Sequence, residues 1–239
     1  MKIKGFQKLT LIDYPGKLAC TIFLSGCNFK CGFCHNPELV LDSYPQAGVL
    51  DYTEEEILSF LKKRKKYLDA ICITGGEPLI SIDINFLKQI KKIGYLIKID
   101  TNGSFPEKLQ ELLDLNLVDF VSMDIKASKK NYSKLTGIEN PNFEKIEQSI
   151  KIISKLPNHE FRTTILEEFH SLQDVGEMID WVSSLIEEDK IQKFVFQGFK
   201  NNNKFIDDSF SKYTNTSEKY LLELKELTSH LINKIGVRV

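Results

Sequence analysis

The chain has 239 residues, 42% hydrophobic and 27% charged, with 13 Gly and 7 Pro, a globular composition that excludes collagen-like, low-complexity and disordered classes. Lys and Arg total 32 against 33 Asp and Glu, a formal net charge of -1, so the chain is not built as a bulk nucleic-acid binder. No apolar run approaches the ~18 residues of a membrane span, and no apolar stretch follows the charged Met1–Lys8 start. Neither a membrane span nor a secretory signal is expected, and a reducing cytoplasm is the expected compartment.

Residues 1–17 read as an N-terminal leader. Leu18 to Leu24 (LACTIFL) is apolar and β-branched, which predicts a buried strand. A long loop follows, holding three cysteines with Pro37, Pro45 and Gly48. Thr53 opens a helix, with Glu56 placed to complete a capping box. Ala70 to Thr74 is a second predicted strand, ended by Gly75-Gly76; Ile84 to Ile93 is a helix; Tyr95 to Thr101 is a third strand, ended by Asn102-Gly103. Pro106 to Leu115 predicts a helix with Pro in its first turn, Leu117 to Ile125 a fourth strand, and Phe143 to Leu156 a helix with Ile146, Ile150 and Ile153 on one stripe. Glu160 to Leu166 is a fifth strand, Val175 to Ile186 a helix, Lys193 to Gln197 a sixth strand and Glu218 to Ile235 a last helix. The polar stretch from Asn201 to Asn215 reads as a surface loop. Strict alternation of six strand–helix units implies an α/β fold with a parallel sheet, either a partial barrel or an open doubly wound sheet. With no Ser/Gly-rich linker and no internal repeat, a single domain over 1–239 is expected.

Five cysteines, at 20, 27, 31, 34 and 72, form an odd count that argues against a disulfide framework. Three lie on Ser25-Gly26-Cys27-Asn28-Phe29-Lys30-Cys31-Gly32-Phe33-Cys34-His35-Asn36-Pro37, spaced C-x3-C-x2-C directly after a strand. Thiolates on one tight loop can converge on one metal centre. A structural zinc site is normally closed by four ligands. Here Cys20 and Cys72 lie inside predicted strands, and His35, bonded directly to Cys34, is poorly placed for the same ion. A [4Fe–4S] cluster usually takes four cysteines. With Cys27, Cys31 and Cys34 alone, one iron stays open to a non-protein ligand, which suits catalysis. The structural alternative is a degenerate zinc loop or an incidental cysteine loop.

The ends of the predicted strands gather polar and glycine-rich residues, as a site at the C-terminal rim of parallel strands requires. Gly75-Gly76 allows backbone to approach a ligand closely, and Glu77 can accept from an ammonium. Lys126 and Arg162 supply cations. Asp100, Thr101 and Asp124 can order the lysine or hold a hard cation through oxygen. Gln197 ends the sixth strand.

The motif C-x3-C-x-aromatic-C, with Phe33 as the aromatic, resembles the hallmark of radical S-adenosylmethionine (radical SAM) enzymes, over nearly the whole chain. That resemblance implies a partial (β/α)6 barrel and a [4Fe–4S] cluster whose open iron is chelated by the amino and carboxylate groups of SAM. It implies that Gly75, Gly76 and Glu77 meet the SAM amino group, and that Lys126 and Arg162 serve its carboxylate and ribose. Phe33, Cys34 and His35 would lie beside the cluster and the adenine. Asp100-Thr101-Asn102-Gly103 and Asp124-Ile125-Lys126 resemble segments of pyruvate formate-lyase activating enzymes, where matching positions contact SAM and a monovalent cation. Gly5 to Lys17, with Cys34-His35-Asn36-Pro37-Glu38-Leu39, is similar to the longer type of anaerobic ribonucleoside-triphosphate reductase activating proteins. There are departures: the better-known reductase activators are shorter, no cysteine-rich ferredoxin-like insert is present, and Gln197 stands nearest to where pyruvate formate-lyase activating enzymes carry a SAM-contacting His.

The resemblance implies an activase. A flavodoxin- or ferredoxin-like donor reduces the cluster, SAM is cleaved to methionine and a 5′-deoxyadenosyl radical, and a glycine of a partner glycyl radical enzyme loses its Cα hydrogen. One alternative is a radical SAM enzyme for a small molecule, such as a 7-carboxy-7-deazaguanine synthase-like ring former; another is a non-catalytic iron–sulfur carrier. Few polar groups are left for a small polar metabolite once Glu77, Asp100, Asp124, Lys126 and Arg162 are assigned. The run Lys62-Lys63-Arg64-Lys65-Lys66 reads as a solvated helix end, with donor docking as the alternative. His159, His170 and His230 read as structural.

Overall fold

The computed structural model describes residues 1–41, 51–202 and 204–239. Pro45, Gly48 and Asn203 lie outside the described residues. The chain falls into two compact units: Met1–Asn28, Glu38–Thr101 and Glu107–Val121 form the first, and Phe29–Pro37, Asn102–Pro106 and Ser122–Val239 the second. A short helix, α1 (Pro37–Val40), follows the cysteine loop.

In the first unit the strands β1 (Ile3–Thr10), β2 (Ala19–Leu24), β3 (Ala70–Gly75) and β4 (Leu96–Thr101) stand in chain order. β1 is antiparallel to β2, whereas β2, β3 and β4 are mutually parallel. Parallel strands covered on both faces need continuous apolar runs, and Ala70, Ile71, Cys72 and Ile73 of β3 are all buried. Helices α2 (Glu54–Arg64), α3 (Ile84–Ile93) and α4 (Pro106–Asp114) alternate with the strands. The capping box opens α2 as expected: the Glu56 amide donates to Thr53 Oγ1 at 3.2 Å, and the Thr53 amide donates to the Glu56 carboxylate at 2.8 Å. At the other end of α2, Lys65 donates to the Gly94 carbonyl at 2.8 Å and the Arg64 guanidinium stands over the Tyr67 ring. The basic run thus closes a helix that leads into the start of β3.

The segment expected as a leader holds β1. Its irregular register against β2, shifted between Ile3 and Gly5 and again between Gln7 and Thr10, explains why no clean alternation marks it in the sequence.

β5 (Phe120–Asp124) places its last three residues in the second unit, which also holds β6 (His159–Ile165), β7 (Ile191–Gly198) and β8 (Ile232–Arg238). β6, β7 and β8 are parallel and in chain order. Helices α5 (Lys129–Thr136), α6 (Phe143–Ser154), α7 (Leu172–Ser183) and α8 (Glu218–Thr228) pack with them. Phe161, Phe194, Phe196, Ile150, Met178 and Leu224 are core residues here.

Three expectations are corrected in this unit. The last helix ends at Thr228, and Ile232–Arg238 is strand β8. Its β-branched residues favour a strand, and Gly236 lets the Val195 side chain approach to 3.1 Å of where a Cβ would stand. Helix α5 was not expected, although Tyr132, Leu135 and Thr136 set a buried stripe. The polar stretch after Asn201 buries Phe205 and Phe210, the latter in a short 3-10 helix, Asp208–Lys212.

β6 also carries a buried carboxylate. Glu160 accepts from Ser122 Oγ at 3.0 Å and from the Arg238 guanidinium at 3.2 Å, and pairs with Lys193. It therefore ties β5, β7 and β8 to β6. Removing it strands two cations, so Glu160→Ala is expected to lower stability by roughly 2–4 kcal/mol. Urea unfolding checks this; an unchanged midpoint would mean that the pins contribute nothing.

Candidate active site

In the first unit the site is built where β2 and β3 end together. Leu24 lies opposite Gly75 in the parallel register. The Gly76 amide donates to the Leu24 carbonyl at 2.9 Å, and the Glu77 amide to the Gly26 carbonyl at 2.7 Å. Neither glycine could carry a side chain. A Cβ on Gly75, whose φ is +130, would stand 2.1 Å from the Leu24 oxygen. One on Gly76 would stand 2.1 Å from the Gly26 oxygen and 3.1 Å from the Cys27 Cβ. The close approach expected toward a ligand is made to the backbone that carries Cys27, so these glycines seat the first cysteine.

Glu77 is fully buried. Its Oε1 accepts from the Leu79 amide at 3.0 Å and from Thr101 Oγ1 at 2.9 Å, capping the 3-10 helix Pro78–Ile80 and tying β3 to the end of β4. Asp100 is ion-paired with Lys98, a lysine buried inside β4. Lys98 Nζ also lies 3.7 Å from Cys72 Sγ. Thr21, Cys72 and Lys98 share one register row across β2, β3 and β4, and Thr21 donates to Asp13. Lys98 escaped sequence reasoning. The signal was its spacing two residues from Asp100, which places both on one face of a strand.

In the second unit the Cys34 amide donates to the Cys31 carbonyl at 3.0 Å, a tight turn that brings these two cysteines close together. Cys31 is buried and Cys34 half-buried. Burial pushes the Cys31 thiol up to about 11, while the nearby Lys126 ammonium pulls it back. Asp124, at the end of β5, accepts from Arg162 Nε and, at 2.8 Å, from Lys126 Nζ. Burial alone would raise the Asp124 carboxyl, but Arg162 and then Lys126 outweigh it and hold it well below the usual range. Burial likewise disfavours the Lys126 ammonium, and Asp124 followed by Cys31 reverses this. Arg162 sits within β6 rather than at its end. Ile125 is a buried backbone clamp: its amide donates to the Arg162 carbonyl at 2.9 Å and its carbonyl accepts from Thr163 Oγ1 at 2.6 Å.

The Phe33 ring is buried against Phe210 at 6.2 Å, so it serves packing and leaves only its backbone for the expected contact. The half-buried His35 ring packs beside the stacked Phe199 and Phe205 rings, at 5.7 and 5.8 Å, and among the described residues its buried Nε2 has no hydrogen-bond partner. Burial lowers the His35 pKa, so its ring favours the neutral form. Gln197 is a half-buried residue of β7 opposite Arg238.

The structure thus groups Cys27, Gly75, Gly76, Glu77 and Thr101 in one unit, and Cys31, Cys34, Asp124, Lys126 and Arg162 in the other. All five cysteines are free of disulfides, with Cys20 and Cys72 buried in strands. Among the described residues, no three His, Cys, Asp or Glu side chains form a group able to hold a metal ion. A cluster makes a different demand, since each thiolate binds its own iron. Within the second unit, Cys31 and Cys34 on one turn beside a cation are two thiols suited to that demand.

Gly76→Ala is expected to displace the Cys27 backbone at a cost of about 1–3 kcal/mol. Iron bound after anaerobic reconstitution should fall while far-ultraviolet circular dichroism is retained; full iron loading would show that the seam is not needed. In the metal-free chain, half-buried Cys27 and Cys34 should be alkylated before buried Cys20, Cys31 and Cys72. Peptide mass spectrometry reads the order, and first reaction at Cys31 would contradict it.

A family profile described as the radical SAM superfamily matches residues 21–182. A protein of Methanocaldococcus jannaschii, provisionally named a glycyl-radical enzyme activating enzyme, is 31% identical over 245 residues, covering 99% of this chain and 95% of that protein. A pyruvate formate-lyase-activating enzyme of Clostridium pasteurianum is 31% identical over 159 residues, 64% of each chain. Among solved structures, TYW1 with a lysine-pyruvate adduct bound aligns with a TM-score of 0.61 at 15% identity, over 88% of this chain and 73% of that one, a likeness of fold alone. Among the described residues no helix is long and apolar enough to cross a membrane. The chain therefore belongs to the radical SAM superfamily, α/β enzymes that use a [4Fe–4S] cluster and S-adenosylmethionine.

Proposed function

We propose that this chain, working as one functional domain, is a radical SAM activase that installs a glycyl radical in a partner enzyme. The observation that carries the reading is the match along 99% of the chain to a relative named for that activity. Anaerobic ribonucleotide reductase is the partner proposed, from the likeness of Gly5–Lys17 and Cys34–Leu39 to its longer activating proteins. A flavodoxin- or ferredoxin-like protein is the proposed electron donor, and the cytoplasm the compartment.

Cys27, Cys31 and Cys34 would hold the cluster. The chemistry such a cluster supplies when bound is one electron to the SAM sulfonium, yielding methionine and a 5′-deoxyadenosyl radical that takes the glycine Cα hydrogen to give 5′-deoxyadenosine. The chain's own work is binding, orientation and exclusion of competing reactions. Asp124, Lys126 and Arg162 together carry one surplus positive charge, which suits the SAM carboxylate. Their mutual pairing fixes both cations before SAM arrives, so little ordering remains to be done on binding. Glu77 is tied to Leu79 and Thr101 through Oε1, which holds its carboxylate still for the SAM ammonium. The backbone of Phe33, Cys34 and His35 is proposed to meet the adenine. A monovalent cation near Asp100, Thr101 and Asp124 would compete with Lys98 for Asp100 and with Arg162 and Lys126 for Asp124.

The count of leftover polar groups needs correction. Lys98, Cys72, Thr21 and Glu160 are interior polar residues beyond those assigned to SAM. Each is engaged within its own unit, so the case against a small polar metabolite rests on their being satisfied, not on their being few.

The reconstituted protein, given SAM, reductant and the cognate reductase, should generate an organic doublet in electron paramagnetic resonance that arises from the partner's glycine. Cys27→Ala, Cys31→Ala and Cys34→Ala should each lose cluster and signal, whereas Cys20→Ala and Cys72→Ala keep both. Turnover of a small metabolite with every glycyl radical enzyme of the source left radical-free would replace the activase reading.

A further inference from the structure

His170 makes contacts that its isolation in the sequence gave no sign of. It is fully buried, in the turn between β6 and α7. The Phe169 and His170 amides both donate to the Leu166 carbonyl, at 3.0 and 2.9 Å, and close that turn. Tyr220 of α8 donates its hydroxyl to the His170 carbonyl at 2.6 Å. The ring is held at both nitrogens. Nδ1 lies 3.1 Å from the Leu166 amide and 3.2 Å from the Leu166 carbonyl, while Nε2 faces a carbonyl that can only accept, so in the neutral ring Nε2 carries the proton and Nδ1 accepts from the Leu166 amide. Nε2 then donates to the Lys126 carbonyl at 2.8 Å.

That bond completes a set of clamps on Asp124-Ile125-Lys126. The Ile125 amide is held by Arg162 and its carbonyl by Thr163. The Lys126 carbonyl has His170. Just beyond, Ser128 and Asn131 donate to Asp174 on the first turn of α7. Without His170 the Lys126 carbonyl would be a buried acceptor lacking this donor, and its peptide would turn to find another. The Cα–Cβ bond of Lys126 would swing with it, away from Asp124.

We infer that His170 is a positioning residue for SAM binding, acting through the Lys126 carbonyl to aim the Lys126 ammonium. This rests on the proposed role of Lys126 at the SAM carboxylate, and His170 itself touches neither SAM nor cluster.

The two nitrogens of the ring can be tested apart in the iron-reconstituted full chain. In His170→Asn, the side-chain oxygen can still accept from the Leu166 amide, but nothing reaches Lys126. In His170→Gln, the amide nitrogen reaches the place of Nε2 and donates to Lys126, but the Leu166 bond is lost. Equilibrium dialysis should show SAM affinity weakened about three- to tenfold in His170→Asn and less than about twofold in His170→Gln, one hydrogen bond's worth apart. The change that SAM causes in the spectrum of the reduced cluster should be altered in His170→Asn only. Iron content and melting temperature of both variants are measured alongside. Equal weakening in both variants, or weakening that simply follows the loss of melting temperature, makes His170 a structural residue and overturns the inference. Lys126→Ala separates the two levels. If it leaves SAM affinity unchanged, the assignment of Lys126 fails and the inference with it. If it weakens binding while His170→Asn does not, the positioning role alone fails.

Discussion

One carboxylate shared between two cations governs the second unit. Burial opposes the charge of both Asp124 and Lys126, and the Arg162 guanidinium shares the same carboxylate. Burial pushes the acid up and the lysine down, and in both cases the attraction between them wins. Such an arrangement is stable only as a set. It therefore dictates the backbone around it: Asp124 and Lys126 must lie on one face, Arg162 must come from the neighbouring strand, and the peptide between them must be pinned. The bonds from Arg162 and Thr163 to Ile125, and from His170 to Lys126, are that pinning. The Lys126 ammonium also pulls on the Cys31 thiol, offsetting part of the upward push that burial gives it without reversing it.

The first unit uses the same spacing to a different end. Lys98 and Asp100 repeat the two-residue interval within β4, and the pair is buried beside Cys72. Glu77, at the end of β3, is held by a hydroxyl and an amide. In both units one ion pair, Lys98–Asp100 and Lys126–Asp124, joins residues two apart, where the loop to be closed is short and little chain entropy is lost.

Elements with a strong local signal were legible in the sequence. The cysteine spacing pointed to iron, the capping box placed α2, and Gly75-Gly76 marked the end of β3. Residues whose meaning depends on a partner far along the chain were not. His170 offers no motif, because its partner is a carbonyl 44 residues away. Glu160 looked like an ordinary strand residue until Lys193 and Arg238 came to it. β1 was hidden because its bulged pairing breaks the alternation that marks a strand, and β8 because its apolar spacing also suits a helix. Gly75 and Gly76 were read as a close approach to a ligand, and the close approach visible in the fold is to the backbone of Leu24 and Gly26. The need for a missing Cβ is written in the sequence, whereas the neighbour that demands it is not.

The seam between Gly76 and the Cys27 backbone has a consequence for how such a protein can change. Contacts made by side chains can be tuned in steps, since residues come in graded sizes. A contact made by the absence of a Cβ has no grades, because nothing lies between hydrogen and methyl. The position of the first cysteine is therefore close to all-or-none at residues 75 and 76. Variation that adapts the molecule to new partners must accumulate elsewhere. Leu11 and Ile12, exposed by 69% and 79% just beyond β1, are under no such restriction. A library meant to redirect the protein would keep the glycines fixed and diversify the stretch after β1.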